Sequence, residues 1–229
     1  MKAKEDENIS LWLRGDLKQW DTLTADCRLM PIKKNAILFL KGDPAENAYV
    51  VKSGRIRMIS IDESGNEKHI VIAEVGSIIG EIACLTESTF PLCAQAIVNS
   101  QLIIVPAEIM AQRVKTYWSI AQKIFEFSYK KQRALIKQIE SLSFSCVEQR
   151  VVQTLINIID EYGIKNEEGI IAIDLKFTHQ DVANMANASR VSVSKTFGFL
   201  YDNLIISRTR NHLIINDMNA LYDLIYKQP

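Results

Sequence analysis

From Ser119 to Ser145 the chain has neither glycine nor proline, and this stretch constrains the fold more than any other feature. A run this long without a breaker predicts one long helix, over about 117–143. Within it Ala121, Phe125, Ser128, Gln132, Leu135, Ile139, Leu142 and Cys146 advance by alternating steps of four and three. That is the spacing of a heptad seam, with polar Ser128 and Gln132 near its middle to fix the register. Lys123, Glu126, Lys130, Lys131, Arg133 and Lys137 leave only a narrow apolar stripe. A helix of this kind is expected to pair with a second copy rather than pack on its own domain.

The flanks of this helix differ in kind. Between Cys27 and Pro106 lie six short β-branched runs, "AILFL", "AYVVKS", "RIRMISI", "KHIVIAEV", "CAQAIV" and "LIIVPA". Turn signals divide them: "KGDPAE", Ser53–Gly54 and "DESGNE", the last a hairpin turn. Five of the nine glycines fall here, at Gly42, Gly54, Gly65, Gly76 and Gly80. Many short strands at near-regular spacing predict an antiparallel β-roll or barrel. After Phe144–Cys146, "VEQRVVQTLINIIDEYG" reads as an amphipathic helix with Gly163 as its C′ glycine. "KNEEG" is a turn and "IIAIDLKF" a short strand region. The fold class is therefore α+β, in two domains: residues 1–146, with the roll and the long helix, and 147–229.

Composition narrows the classes of function. Formal charge is zero, but residues 1–110 carry 12 basic and 15 acidic side chains, and residues 111–229 carry 15 and 12. Lys176–His212 alone holds five basic residues against two acidic ones, which points to a polyanionic partner at the C-terminal end. The longest apolar runs are broken well short of a membrane span, so no membrane role is expected. "MKAKEDENIS" lacks the apolar core of a signal peptide, which predicts a cytoplasmic protein. Cys27, Cys84, Cys93 and Cys146 form no CxxC pair and there are only three histidines, so no metal site is expected. The cysteines read as reduced thiols packed as small apolar residues. No nucleophile–base set, phosphate-cradling P-loop or metal motif argues for an enzyme.

The most specific stretch is "FTHQDVANMANASRVSVSKTFGFLYDNLI". Thr178 precedes a short helix with Asp181 three residues on, close to a capping box, and the helix has an apolar face of Val182, Ala183 and Met185. "NAS" is a tight turn, with Asn187 where a left-handed backbone is needed. Ser189 caps a second helix in which Val193, Phe197 and Leu200 point inward. Arg190, Val191, Ser194 and Lys195 point outward. This is helix-turn-helix spacing, with Ser189–Leu200 as the recognition helix. "LIISRTRNHLIIND" then reads as a β-hairpin wing tipped by Arg208 and Arg210.

With these parts in place, the chain resembles the Crp/Fnr family of bacterial transcription regulators from about Ala36 to Ile215. The resemblance rests on "LKGDPAENAYVVKSGRIRM", "DESGNEKHI", "GSIIGEIA", "CVEQRVVQTLINI" and "THQDVANMANASRVSVSKT" in this order. It implies a homodimer that binds an inverted-repeat operator in double-stranded DNA, works with RNA polymerase and senses a signal in its β-roll. Arg190 is then the expected guanine reader, and Val191 can touch only a thymine methyl. Lys195 would meet guanine or phosphate, and Ser189, Ser192 and Ser194 phosphate or base edges. Thr178, His179 and Gln180 suit a backbone phosphate, as do Arg208 and Arg210. The seam implied for the dimer is Phe125, Ser128, Gln132, Leu135, Ile139 and Leu142.

The loop "GSIIGEIACLTESTFPLCAQA", Gly76–Ala96, departs from that pattern. It has the shape of a phosphate cradle but no Lys or Arg from Ser77 to Ala96. Relatives that bind cyclic AMP clamp its phosphate with an Arg-Ser pair where Leu92 and Cys93 stand here. They meet the adenine with Thr and Ser where this chain has Leu135 and Ile136. A buried phosphate without a cation is costly, so a cyclic nucleotide is not expected. The resemblance leaves an apolar pocket of Gly80, Glu81, Ile82, Ala83, Leu92, Cys93, Leu135 and Ile136, suited to a small apolar or aromatic effector. The alternatives are redox sensing by Cys84 and Cys93, haem on His69 or a cysteine, no effector at all, or a ligand-binding protein that no longer binds DNA. An iron–sulfur cluster fits poorly, because Cys27 stands alone.

Overall fold

A computed structural model describes residues 11–166, 170–173, 177–209 and 212–226. The chain forms two compact units, one up to Lys137 and one from Gln138. Arg210 and parts of the "KNEEG" and "IIAIDLKF" segments lie outside the described residues.

The first unit contains β1 (Trp12–Leu13), a 3-10 turn at Leu17–Trp20 that runs into α1 (Asp21–Thr24), β2 (Leu29–Ile32), β3 (Ile37–Phe39), β4 (Asn47–Ser53), β5 (Ile56–Ile61), β6 (Glu67–Ala73), β7 (Ile78–Ile79), α2 (Glu81–Leu85), β8 (Cys93–Ala96), β9 (Ser100–Pro106) and α3 (Ala107–Thr116). The strands make two sheets, ordered β1-β6-β5-β8-β3 and β2-β9-β4-β7. All six expected runs are strands. β1, β2 and β7 are additional, and β1 pairs parallel to β6 in an otherwise antiparallel roll. The β5–β6 hairpin turns at Gly65, with φ +81°. There the Asp62 carboxylate accepts from the Asn66 side-chain amide at 2.8 Å, from Asn66 N at 2.8 Å and from Ser64 N at 2.9 Å, and these bonds, the side-chain amide first, hold its pKa below the usual value. One core joins both sheets, among them Val50, Ile56, Leu102 and Val105, and closes on Trp20 and Phe127, whose rings lie 5.5 Å apart.

The long helix, α4, runs Trp118–Phe144. It has two apolar faces. Ile120, Ala121, Ile124, Phe127 and Ala134 are buried within the chain. Trp118, Phe125, Tyr129, Leu135, Ile136, Ile139 and Leu142 stay exposed. The seam read from the sequence mixes the two. Ala121 belongs to the inner face and Ser128 is half-buried, its hydroxyl enclosed, while Tyr129 and Ile136 join the outer stripe. A seven-residue repeat alone cannot fix the phase of a helix that is apolar on two faces.

The second unit contains α5 (Val147–Tyr162), β10 (Gly163–Lys165), β11 (Ile171–Ile173), α6 (His179–Ala186), α7 (Arg190–Asp202), β12 (Ile206–Arg208), β13 (Leu213–Ile215) and α8 (Met218–Tyr226). Its strands form an antiparallel sheet, β10-β11-β13-β12. Gly163 caps α5 in an extended conformation, φ −70°, ψ 128°, and not in the left-handed one expected of a C′ glycine. Its requirement is steric, since a Cβ there would lie 2.5 Å from Ile159 O. α8 was not read from the sequence. Its first turn is held by the Asp217 carboxylate, which accepts from Ala220 N at 3.0 Å.

Candidate nucleic-acid interface and effector loop

α6 starts as its sequence dictates. Thr178 Oγ1 accepts from Asp181 N at 3.1 Å, and Asp181 Oδ2 accepts from Thr178 N at 2.8 Å. The helix stops at Asn187, at φ 50°, ψ 55°. Ser189 Oγ accepts from Ser192 N at 3.0 Å and opens α7. Val182, Ala183 and Met185 of α6, and Val193, Phe197 and Leu200 of α7, are buried together. Ala183 is small enough to let the helices close on one another.

Arg190, Val191, Ser194 and Lys195 therefore lie on the exposed side of α7, with Ser192 half-buried at its start. Arg208, at the end of β12, is exposed as well. His179 is not a free phosphate ligand. Its Nδ1 lies 2.9 Å from Ser194 Oγ and its ring centroid 5.0 Å from that of Phe197, so it ties the first turn of α6 to the middle of α7. Its pKa is pushed down, first by burial and then by the charges of Arg190 and Arg208. The two arginines and His179 thus share one positive field. Thr178 and Gln180 are exposed beside it, the Gln180 amide bonded to Asn184 at 2.7 Å.

Sequence reasoning missed Arg150. From α5 its guanidinium donates to Ala186 O at 3.1 Å, Asn187 O at 3.0 Å and Ser145 O at 2.9 Å. It holds the turn between α6 and α7 by satisfying carbonyls that a helix end leaves open. An arginine on the polar side of an amphipathic helix carries no sequence mark for such a role.

In the first unit, the Gly76–Ala96 loop proves to be engaged by its own chain. Gly80 stands at φ +79°, and a Cβ there would lie 2.7 Å from the Phe90 ring. Phe90 stacks on Phe39 at 3.7 Å between centroids, and Phe39 faces Tyr49 at 5.9 Å. Glu81, 2% exposed, is bound by Lys131 of α4, whose Nζ donates to its two oxygens at 2.6 and 2.7 Å and to Ile78 O at 2.9 Å. The cation that the loop lacks in sequence is supplied fifty residues later. Lys131, one of the charges that narrow the apolar stripe of the helix, is drawn inward, and Glu81 is already paired. Of the other expected pocket residues, Cys93 is buried, Gly80, Ala83 and Leu92 are half-buried, and Ile82, Leu135 and Ile136 are exposed.

The thiols divide. Cys84 and Cys93 are buried and unbridged. Burial pushes the Cys84 thiol up, and the Glu81 charge adds to this against the Ala48 amide, so its thiolate is scarce at neutral pH. Cys27 is half-buried, its Sγ 3.7 Å from Leu23 O. Cys146 is exposed as the N-cap of α5, which corrects its reading as a packed apolar residue. His69 is not a surface residue but 2% exposed, its Nε2 3.4 Å from Arg57 Nη1, a poor setting for an axial haem ligand. Among the described residues no His, Cys, Asp and Glu cluster could hold a metal ion, and no helix is long and apolar enough to cross a membrane.

A β-roll followed by a long helix and a winged helix-turn-helix is the architecture of a class of DNA-binding transcription regulators. Comparison with known proteins makes this specific. The cyclic nucleotide-binding domain family matches residues 29–117, and the Crp-like helix-turn-helix domain family matches residues 149–224. The global nitrogen regulator of Synechococcus elongatus is 27% identical over 191 residues, covering 82% of this chain and 86% of that protein. The anaerobic regulatory protein of Haemophilus influenzae is 26% identical over 211 residues, covering 91% and 80%. In fold, the chain is similar to FixK2 from Bradyrhizobium japonicum, with a TM-score of 0.74 at 16% identity over 89% of this chain and 99% of that one. The chain belongs to the Crp/Fnr family of transcription regulators.

Proposed function

We propose that the protein acts as a homodimer on an inverted-repeat operator, under the control of a small effector that is not a cyclic nucleotide. The observation that carries the DNA part is that Arg190 and Lys195 on α7 and Arg208 at the end of β12 all stand exposed on a capped helix-turn-helix, offering cations to a polyanion. Arg190 reads a guanine in each half-site, Val191 favours a neighbouring thymine, and Lys195 and Arg208 meet phosphates. The outer stripe of α4 pairs the two copies. With two recognition helices in successive major grooves, the half-sites lie about one helical turn apart. RNA polymerase is the expected partner at the promoter.

The effector part rests on the Glu81–Lys131 pair. A cyclic phosphate at this loop would find Lys131 already neutralised, and Leu92 and Cys93 offer it nothing. Ile82, beside Glu81, and Leu135 and Ile136, about one turn beyond Lys131, are apolar and exposed, which suits an apolar effector that reports to α4.

Selection from random duplexes, followed by affinity measured against salt, tests the DNA part. An inverted repeat should emerge, with affinity falling steeply as salt rises. Arg190→Ala should cost roughly 1–3 kcal/mol per half-site and flatten the preference at one base pair. Duplex binding without salt dependence, or an unchanged preference in Arg190→Ala, would overturn the assignment. Calorimetry with cyclic AMP and cyclic GMP should give no heat of binding at cellular concentrations.

A further inference from the structure

The second unit contains a cavity of about 350 Å³, and of its lining the DNA-reading role uses only Lys195 at the rim. Its walls come from three helices: Cys146 and Val152 of the α5 end, Lys195 and Phe199 of α7, and Leu224 of α8. α7 turns Val193, Phe197 and Leu200 into the core of the unit, and Phe199 falls off that face. It remains 49% exposed at the cavity wall, while Val152, 2% exposed, lies deep. The volume is at the low end of the roughly 300–1,000 Å³ typical of small-ligand sites. The lining surface is mainly apolar, with buried Thr196 and half-buried Gln149 in its walls and two charged groups at the mouth. There Lys195 and Glu148, both exposed, contribute one charge of each sign, so the site favours neither a cation nor an anion.

We propose that this cavity binds a small, neutral, aromatic molecule of one or two rings. Val152 and Leu224 would pack on its faces, and Phe199 would take it edge-on or offset-stacked. Any polar atom of the ligand would point to the mouth. The molecule would touch the helix that carries Arg190 and Lys195, so its binding is coupled to duplex affinity, and that second half rests on the DNA-reading role proposed above.

Indole is the probe. Titrated into isotope-labelled full-length protein, it should shift the amide signals of Val152, Lys195, Phe199 and Leu224, saturating with a dissociation constant below about 1 mM. Leu224→Trp, which fills the cavity from a half-buried position, should weaken indole at least about tenfold. Phe199→Ala removes the aromatic wall from an exposed position and should weaken indole too, so a folding defect in one variant leaves the other to decide. Benzoate and benzylamine should both bind more weakly than indole. No saturable shift at these residues, equal binding by both variants, or tighter binding of either charged ring overturns the site. Saturating indole should also change duplex affinity about fivefold in the wild type and leave Leu224→Trp unchanged. If the duplex binds but ignores indole, the coupling is overturned. If no duplex binds at all, the regulator reading fails while the indole site stands.

Discussion

Lys131 Nζ donates to both carboxylate oxygens of Glu81, at 2.6 and 2.7 Å, and thereby ties α4 to the loop that a cyclic nucleotide would occupy in a relative. Glu81 is 2% exposed, so this partner takes the place of solvent at its carboxylate, while the Lys131 side chain keeps 23% of its surface in solvent.

Breaking the pair from the lysine side should therefore be expensive. Lys131→Met leaves a carboxylate buried beside Ile78 O, and urea unfolding should show a loss of roughly 2–4 kcal/mol, the penalty of an uncompensated buried charge reduced by partial solvation. Glu81→Gln combined with Lys131→Met should recover much of that loss, since neither charge remains. A single variant as stable as the wild type would mean that the pair is no anchor.

Arg150 holds the reading unit in a different way. It satisfies three carbonyls, two of them at the end of α6 where the chain turns into α7. Arg150→Lys keeps the charge but cannot span all three, because an ammonium lacks the planar fork. Thermal unfolding should show a loss of about 1–2 kcal/mol, in line with charge-assisted bonds that are partly solvated. Duplex affinity should fall with it, since this turn sets the angle of α7. If duplex affinity is untouched while stability drops, Arg150 supports the fold alone.

What the sequence disclosed and what it hid follow one physical line. Local rules were legible: Thr178 and Asp181 as a capping box, the left-handed Asn187, Ser189 as a cap, and the Asp62–Asn66 turn all need only a few adjacent residues. The inward side of α7 was legible for the same reason. Long-range pairings were not. Nothing near Lys131 or Glu81 shows that residues fifty positions apart will meet. The two apolar faces of α4 hid its phase, since Phe125 and Ile124 are alike apolar in sequence but one is exposed and the other buried. β1 was missed because two residues joined parallel to β6 are too few to show alternation.

The outer stripe of α4 gives the third prediction. Ile136 is 54% exposed in the protomer, so Ile136→Glu should not disturb folding. In a two-fold seam it would place two like charges together in a desolvated strip. Analytical ultracentrifugation at micromolar concentration should show the dimer dissociation constant raised at least about tenfold, or 1.4 kcal/mol. A variant that stays fully dimeric would move the interface off this stripe.

The last prediction concerns pH, and its sign follows from His179. Burial, Arg190 and Arg208 hold its folded pKa below the ordinary value of about 6.5, so the unfolded chain binds more protons in this region of pH. Its contribution to stability is therefore fully present above about pH 6.5 and is lost as pH falls from there through the lowered folded value. Duplex binding should act in the opposite direction. The duplex backbone, with a phosphate against Arg208, offsets the positive field that disfavours the imidazolium, so the complex takes up a proton and affinity rises as pH drops below about 6.5. His179→Gln can still donate to Ser194 but cannot titrate, and should flatten that rise. Nuclear magnetic resonance titration of the His179 ring in the free protein gives the direct check. Arg190→Ala and Arg208→Ala should each raise its pKa, and the duplex should raise it further in the wild type. An unmoved His179 in both variants would show that neither arginine's charge reaches the imidazole and would sink the proton-linked part of duplex binding.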